Sequence, residues 1–443
     1  MTRDRVGRGR LVRDYGRPGW ALGTGPAVSP PAGRAGVRGA GEAVPATHET
    51  WERVPAQAVR AAEEVYDLEL SDLTFVDVAG AGALVAAAQR LPGAAARAAP
   101  AAVRAAPAAG PVPARPAGDR GADVMSAVAA SFPPSERLGP FAHPALFYRD
   151  EREYLAGTLP FVRAALRAGE PVAVAVPAEN LTLIRDALGE GADAVTFLDM
   201  REAGRNPGRI IPGVLRAFAD AQPPGRRVRI VGEPIWAGRS AAEYPACAQH
   251  EALINAAFRG REATILCPYD TARLDERVLA DACATHPTVI AAGSGRERDS
   301  AAYAPADVVA RYNEPLPPAP DAPALSFDRD SLPHARHVAA GQGERLGLRG
   351  VRLEDLTLVT AELATNSVVH GGGTGVLRVW AEGGYVVCEV RDRGRLDDPL
   401  AGRRPAPRDQ RGGRGLLLVN LVSDLVRLHT ARDGTTVRCW FGR

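Results

Sequence analysis

The five cysteines of this 443-residue chain (Cys247, Cys267, Cys283, Cys388 and Cys439) form no Cys-x-x-Cys pair. Their scatter excludes a disulfide scaffold, argues against a cysteine-rich zinc module and reads as reduced thiols in a cytoplasmic protein. No run approaches the roughly 18 uninterrupted apolar residues of a membrane span. The Arg-rich beginning also lacks the compact apolar stretch of a secretory signal. Neither charge is in excess, since 54 basic and 52 acidic side chains leave a net +2. The global field therefore points neither to direct DNA binding nor to a membrane surface. A Gly-x-x-x-x-Gly-Lys-Ser/Thr loop is also missing, so a P-loop phosphate cradle is not expected.

The length implies two or three domains, and Pro/Ala-rich tracts mark where they divide. Residues 1–50 are rich in Gly, Arg, Pro and Ala without an apolar period, and are expected to be disordered because they bury too little to offset ordering entropy. Within 51–95, residues 73–77 read as a buried strand and 80–91 as a helix. Prolines and small side chains make 96–137 a linker. Between 138 and 296, helices at 151–168 and 180–188 alternate with strands at 171–176, 194–198, 227–231 and 263–267, which predicts an α/β unit with a largely parallel sheet. A second linker is expected at 297–323. From 324 to 443, a strand at 325–327, helices at 331–346 and 352–369, strands at 376–381 and 385–391, a helix at 415–422 and a strand at 435–441 predict an α+β sandwich.

Three motifs of the last segment carry chemistry. Glu362-Leu363-Ala364-Thr365-Asn366 sets a carboxylate and an amide four residues apart on one helix face. Such a pair can hold Mg²⁺ through the Asn366 carbonyl, with Glu362 orienting or deprotonating an attacking group. Asp392-Arg393-Gly394 ends a strand with an acceptor suited to an exocyclic amine, followed by a glycine that lets the backbone come close. Arg411-Gly412-Gly413-Arg414-Gly415 precedes an apolar helix, whose N-terminal N–H groups and dipole favour phosphate. Each alone is weak, because Asp-x-Gly is commonly a turn and a Gly-rich loop a plain connection.

In this order, and followed by Gly434-Thr435-Thr436 and a last strand, the motifs resemble the histidine-kinase-like ATPase superfamily, specifically the anti-sigma-factor serine kinases. The resemblance implies ATP and Mg²⁺ as cofactors, Asn366 as the metal ligand, Glu362 as catalytic base, Asp392 and Gly394 at the adenine, Gly413 and Gly415 over the phosphates, and Thr436 near the base. It also implies phosphorylation of a protein on Ser or Thr, with a sigma factor and a STAS-type anti-anti-sigma protein as partners. Leu396 departs from the family pattern, standing where a second glycine is common. His370, four residues after Asn366, is expected to cap the helix end and not to accept a phosphoryl group.

Residues 67–80 resemble the central strand and turn of a STAS domain, with Ala79 where those proteins carry the phosphorylated Ser. The middle region resembles the MEDS family of small-molecule or redox sensory domains. The resemblance rests on His143-Pro144-Ala145-Leu146-Phe147-Tyr148, Val231-Gly232-Glu233-Pro234, the pair Glu251 and Asn255, Cys267-Pro268-Tyr269-Asp270 and His286-Pro287, and implies a RecA-like sheet. Glu233, Tyr269 and Asp270 either line a ligand crevice at the carboxyl edge of that sheet or form a structural hydrogen-bond network. A metal set of His143, Cys267, Cys283 and His286 is conceivable, although buried thiols and satisfied histidines are commoner. The expected whole is a multidomain α/β protein: a RecA-like α/β sensory domain that can take a small molecule, then an ATP-dependent Ser/Thr kinase. A non-catalytic ATP-binding capture module is the alternative, and a homodimer is among the assemblies open to it.

Overall fold

The computed structural model describes residues 27–29, 36–43, 67–76, 140–405 and 413–443, the first three segments as backbone only. Strands β1 (Ala27–Ser29), β2 (Gly36–Ala43) and β3 (Asp67–Val76) form a small sheet, antiparallel between β1 and β2 and parallel between β2 and β3. Two strands thus fall inside the segment expected to be disordered, because backbone pairing needs none of the apolar periodicity on which that expectation rested. The helix expected at 80–91, Ala79 and most of the 96–137 linker lie outside the described residues.

The middle region is built on a seven-stranded sheet ordered β10-β9-β4-β8-β7-β5-β6. Its strands are β4 (Pro144–Tyr148), β5 (Val172–Val176), β6 (Val195–Asp199), β7 (Val228–Gly232), β8 (Ala263–Asp270), β9 (Thr288–Ala291) and β10 (Arg296–Asp299). Every neighbouring pair is parallel except β9 with β10. The all-apolar Val-Ala-Val-Ala-Val of β5 is buried at each position, as an inner parallel strand covered on both faces requires. Helices α1 (Glu151–Arg167), α2 (Ala178–Leu188), α3 (Tyr244–Ala257) and α4 (Glu276–Thr285) supply the cover. Asp150 starts α1 by accepting the Glu153 N–H at 2.8 Å, a side-chain cap for an otherwise orphaned donor.

The linker expected at 297–323 is structured in its first half. Helix α5 (Pro305–Arg311) follows β10, and Val308, Val309 and Tyr312 are buried in the same core as Cys247, Leu253 and Cys267. Proline at the first helical position and polar neighbours hid a helix of only seven residues from periodicity.

The last region is a five-stranded antiparallel sheet ordered β11-β12-β13-β15-β14, from β11 (Ala324–Asp328), β12 (Thr374–Glu382), β13 (Tyr385–Asp392), β14 (Leu425–Ala431) and β15 (Gly434–Gly442). Helices α6 (Leu332–Arg345), α7 (Gly350–His370) and α8 (Gly415–Val422) cover one face. Leu356, Val359 and Leu363 of α7 meet Leu377, Val379, Cys388, Val437, Cys439 and Phe441 of the sheet in one core. Three glycines stop α7: the Gly371 N–H returns to the Ser367 carbonyl at 2.8 Å, and Gly372 and Gly373 take φ of 87° and 88°, a region that favours glycine. His370 is the last helical residue, and β14 is a strand that the sequence pattern did not single out.

Candidate functional site

Helix α7, the end of β13, the start of β15 and the start of α8 converge at one edge of the antiparallel sheet. Glu362 is 9% exposed and Asn366 half-buried, one turn further on. A Cβ added to Gly415, the first residue of α8, would lie 2.6 Å from Glu362 Oε2 and 3.5 Å from Asn366 Nδ2. The carboxylate, the amide and the helix N-terminus therefore occupy one place, and a side chain on Gly415 would displace the Glu362 carboxylate. Gly413, two residues earlier, is exposed with φ of 74°, while Arg411 and Gly412 lie outside the described residues.

Asp392 is gripped from two sides. Ser367 Oγ donates to its Oδ2 at 2.7 Å and the Gly394 N–H donates to its Oδ1 at 2.7 Å. Each oxygen keeps a second lone pair for a ligand. Gly394 has to be small, since a Cβ there would stand 2.6 Å from the His370 carbonyl oxygen and 2.7 Å from Gly371 Cα. Ser367, which holds Asp392, was not singled out from the sequence, although it directly follows Asn366.

Thr436 faces away from Asp392. Strand alternation sends Val437, Cys439 and Phe441 toward the helices, so Thr435 shares that face and Thr436 takes the other. Thr435 pairs with Asp392 across the sheet, and its Oγ1 donates to the Gly394 carbonyl at 2.9 Å. The Gly-Thr-Thr run holds two candidates, and only the register of β15 chooses between them.

The three sensory candidates do not act together. Glu233, 3% exposed beyond the end of β7, accepts from Asn180 Nδ2 at 2.8 Å, Tyr154 Oη at 3.2 Å and Tyr148 Oη at 3.4 Å. Burial pushes its carboxyl up to about 8 despite those bonds, because desolvation of the charged form outweighs three donors. Asp270, on the strand beside Tyr148, accepts the Ala272 N–H at 3.0 Å. Tyr269 points to the opposite face, with its ring 5.5 Å from that of His286, and its buried hydroxyl finds no partner group. Around Glu233 the arrangement is the hydrogen-bond network. The conceivable metal set also changes membership: Cys283 stands apart, and Glu251 joins His143, Cys267 and His286.

Two family descriptions fit these regions. The MEDS model (MEthanogen/methylotroph, DcmR Sensory domain) matches residues 142–287, and the histidine kinase-like ATPase domain model matches residues 325–441. The chain carries a MEDS domain followed by a histidine-kinase-like ATPase domain. Together the two domains suggest an ATP-binding signalling protein. No curated protein matches the chain. Among the described residues, no helix is long and apolar enough to cross a membrane.

The MEDS domain holds the ATPase domain by the elements that flank the site. Leu400, from the segment between Gly394 and α8, is 2% exposed and belongs to the MEDS core with Ile211, Leu215 and Val309. Asn206 Nδ2 donates to the Asn420 carbonyl of α8 at 2.8 Å, and a Cβ on Gly208 would stand 1.9 Å from Asn420 Oδ1. Asn313 brackets β14, donating to the Thr430 carbonyl at 2.8 Å and accepting the Thr430 N–H at 3.0 Å. Leu396 lines a cavity of about 290 Å³ between the domains, together with Gln249, Leu253, Val309, Leu416 and Leu428. None of these contacts was predicted, because partners some 100 to 200 residues apart leave no local pattern.

Proposed function

We propose that the chain is an ATP-dependent protein serine/threonine kinase of the anti-sigma-factor type, controlled by its MEDS domain and acting on transcription through protein partners. The observation that carries this reading is the convergence of Glu362 and Asn366 on the glycine that opens α8. The residues present suit Mg²⁺ and ATP. A side chain at Gly415 would push the Glu362 carboxylate aside, and an Asn carbonyl is the kind of oxygen a hard cation accepts beside phosphate. When bound, magnesium supplies neutralisation of phosphate charge.

Asn366 would hold that ion, and the free N–H groups at the start of α8 would bind phosphate oxygens. Asp392 would accept from the adenine amine while Gly394 lets the base approach, and Glu362 would orient or deprotonate the acceptor hydroxyl. Thr435 replaces Thr436 beside the base. Sensing would reach the site through Leu400 and Asn420, which tie the segment before α8 and α8 itself to the MEDS domain. The expected partners are a sigma factor and a STAS-type protein that receives the phosphoryl group. Residues 51–95 are read as a partial STAS-like segment, 140–312 as the sensory domain and 324–443 as the kinase domain.

Radiolabelled phosphoryl transfer from Mg²⁺–ATP to a panel of STAS proteins tests the proposal, with wild type beside Asn366→Ala and Glu362→Ala. Label on a Ser or Thr that both substitutions abolish is the expected result. ATP binding with no transfer to any acceptor overturns the kinase and leaves a capture module.

A further inference from the structure

Four side chains meet at the centre of the MEDS domain: His143 before β4, Glu251 on α3, Cys267 on β8 and His286 after α4. All are at most 1% exposed, and one ligand atom from each lies within 4.8 Å of every other. His143 Nε2 is 3.4 Å from Glu251 Oε2, His286 Nε2 is 3.1 Å from the same oxygen, and Cys267 Sγ is 3.4 Å from His143 Nε2. A tetrahedral zinc ion with bonds of about 2.0 to 2.3 Å spaces its ligand atoms roughly 3.3 to 3.8 Å apart.

The surroundings orient both imidazoles inward. Asn255 Nδ2 donates to the Thr285 carbonyl at 2.7 Å and the Ala252 carbonyl at 3.1 Å, which leaves its Oδ1 as the acceptor facing His143 Nδ1 at 3.2 Å. His286 Nδ1 lies 2.8 Å from the Ala282 carbonyl. Both Nδ1 atoms therefore carry a proton, and in the neutral imidazoles both Nε2 atoms turn a lone pair toward the carboxylate and the thiol. Acceptors then face acceptors around Glu251 Oε2, which meets both Nε2 atoms, while Glu251 Oε1 has no partner group in the protein. Buried polar groups are seldom left in that state, and a histidine whose outer nitrogen is tied to a carbonyl while the inner one faces a carboxylate and a sulfur is oriented as a metal ligand.

We propose that His143, Glu251, Cys267 and His286 bind a divalent transition-metal ion of the zinc class inside the MEDS domain. Binding transfers the Cys267 thiol proton to solvent and forms one bond each to sulfur and oxygen and two to nitrogen. One thiolate and one carboxylate then neutralise the dication, as a water-free interior demands. Four protein ligands leave no open position, which suits a structural or sensing site and not a hydrolytic one. Glu251 shares α3 with Ala246, which packs on Trp380 and Trp440 of the ATPase sheet, so the ion sits on a helix that touches the output domain. The proposal stands independently of the kinase reading.

The test is metal analysis of the full-length protein after dialysis, together with cobalt(II) substitution. The expected result is a single zinc-class ion per chain and a tetrahedral cobalt spectrum with thiolate charge transfer. Cys267→Ser removes the charge-transfer band, whereas Cys283→Ser, at a half-buried cysteine outside the cluster, retains it. Glu251→Gln is expected to weaken zinc binding at least tenfold in a chelator competition. Wild-type protein that takes up no stoichiometric zinc or cobalt, or a cobalt band that survives Cys267→Ser, overturns the proposal.

Discussion

Replacing Asp392 by asparagine separates its two tasks. In the fold it accepts one hydrogen bond on each oxygen, from Ser367 Oγ and the Gly394 N–H. An asparagine can keep both, with Oδ1 on the Gly394 N–H and Nδ2 donating to a Ser367 hydroxyl that has rotated to accept. Folding then loses only the charge assistance, about 1 kcal/mol. Toward the ligand the change is larger, because a charged acceptor becomes a neutral group with one donor edge. Losing a hydrogen bond to a charged group costs about 1.5 to 3 kcal/mol, which weakens nucleotide binding about 10- to 150-fold. Asp392→Ala should differ, since it strands the Gly394 N–H, leaves the Ser367 hydroxyl only the Leu363 carbonyl, and lowers the melting temperature as well. Calorimetric titration with ADP beside thermal unfolding reads both effects. An asparagine variant that binds ADP within about threefold of wild type would refute adenine recognition by Asp392.

Two further perturbations probe the coupling and the sensory core. Leu400→Ala empties a site in the MEDS core, and a buried Leu→Ala change costs about 2 to 5 kcal/mol where nothing relaxes. Leu400 lies outside any helix or strand, so the loss is expected as faster hydrogen exchange over residues 396–405 with little change in global melting; unchanged exchange there would count against the docked segment as a link. Burial raises Glu233 from 4.5 to about 8, so the unfolded carboxyl ionises first as pH rises. Its contribution to stability is whole below pH 4.5 and is lost as pH climbs through about 8. Denaturant unfolding across that window should show a decline that Glu233→Gln flattens, and identical slopes in both proteins would remove Glu233 as its source.

The helix with Glu362 and Asn366 was legible because its apolar spacing and its chemistry share a period, and α8 because Gly415 punctuates an apolar run. Strand β14 was not. Its alternating Leu425, Arg427 and His429 follow α8 after two residues, and its pairing with β15, from Leu425↔Trp440 to Ala431↔Gly434, is a non-local fact about where the chain turns back. The expected linker at 297–323 failed for a related reason: Val308 and Tyr312 are core residues only because α3 and α4 lie beside them.

Taken alone, the sequence determined the kinds of chemistry available: a carboxylate and an amide one turn apart, an acceptor at a strand end before a glycine, and histidines and thiols without any regular spacing. It could do so because these relations run along one helix or one turn, where local geometry is fixed by backbone period. Tertiary structure decided which side chains meet. Register set Thr435 and not Thr436 opposite Asp392, sheet sidedness parted Tyr269 from Glu233, and four elements spread over 144 residues brought His143 to Glu251, Cys267 and His286. Those choices belong to packing, where the close fit of distant surfaces discriminates between residues that the local chain leaves equivalent.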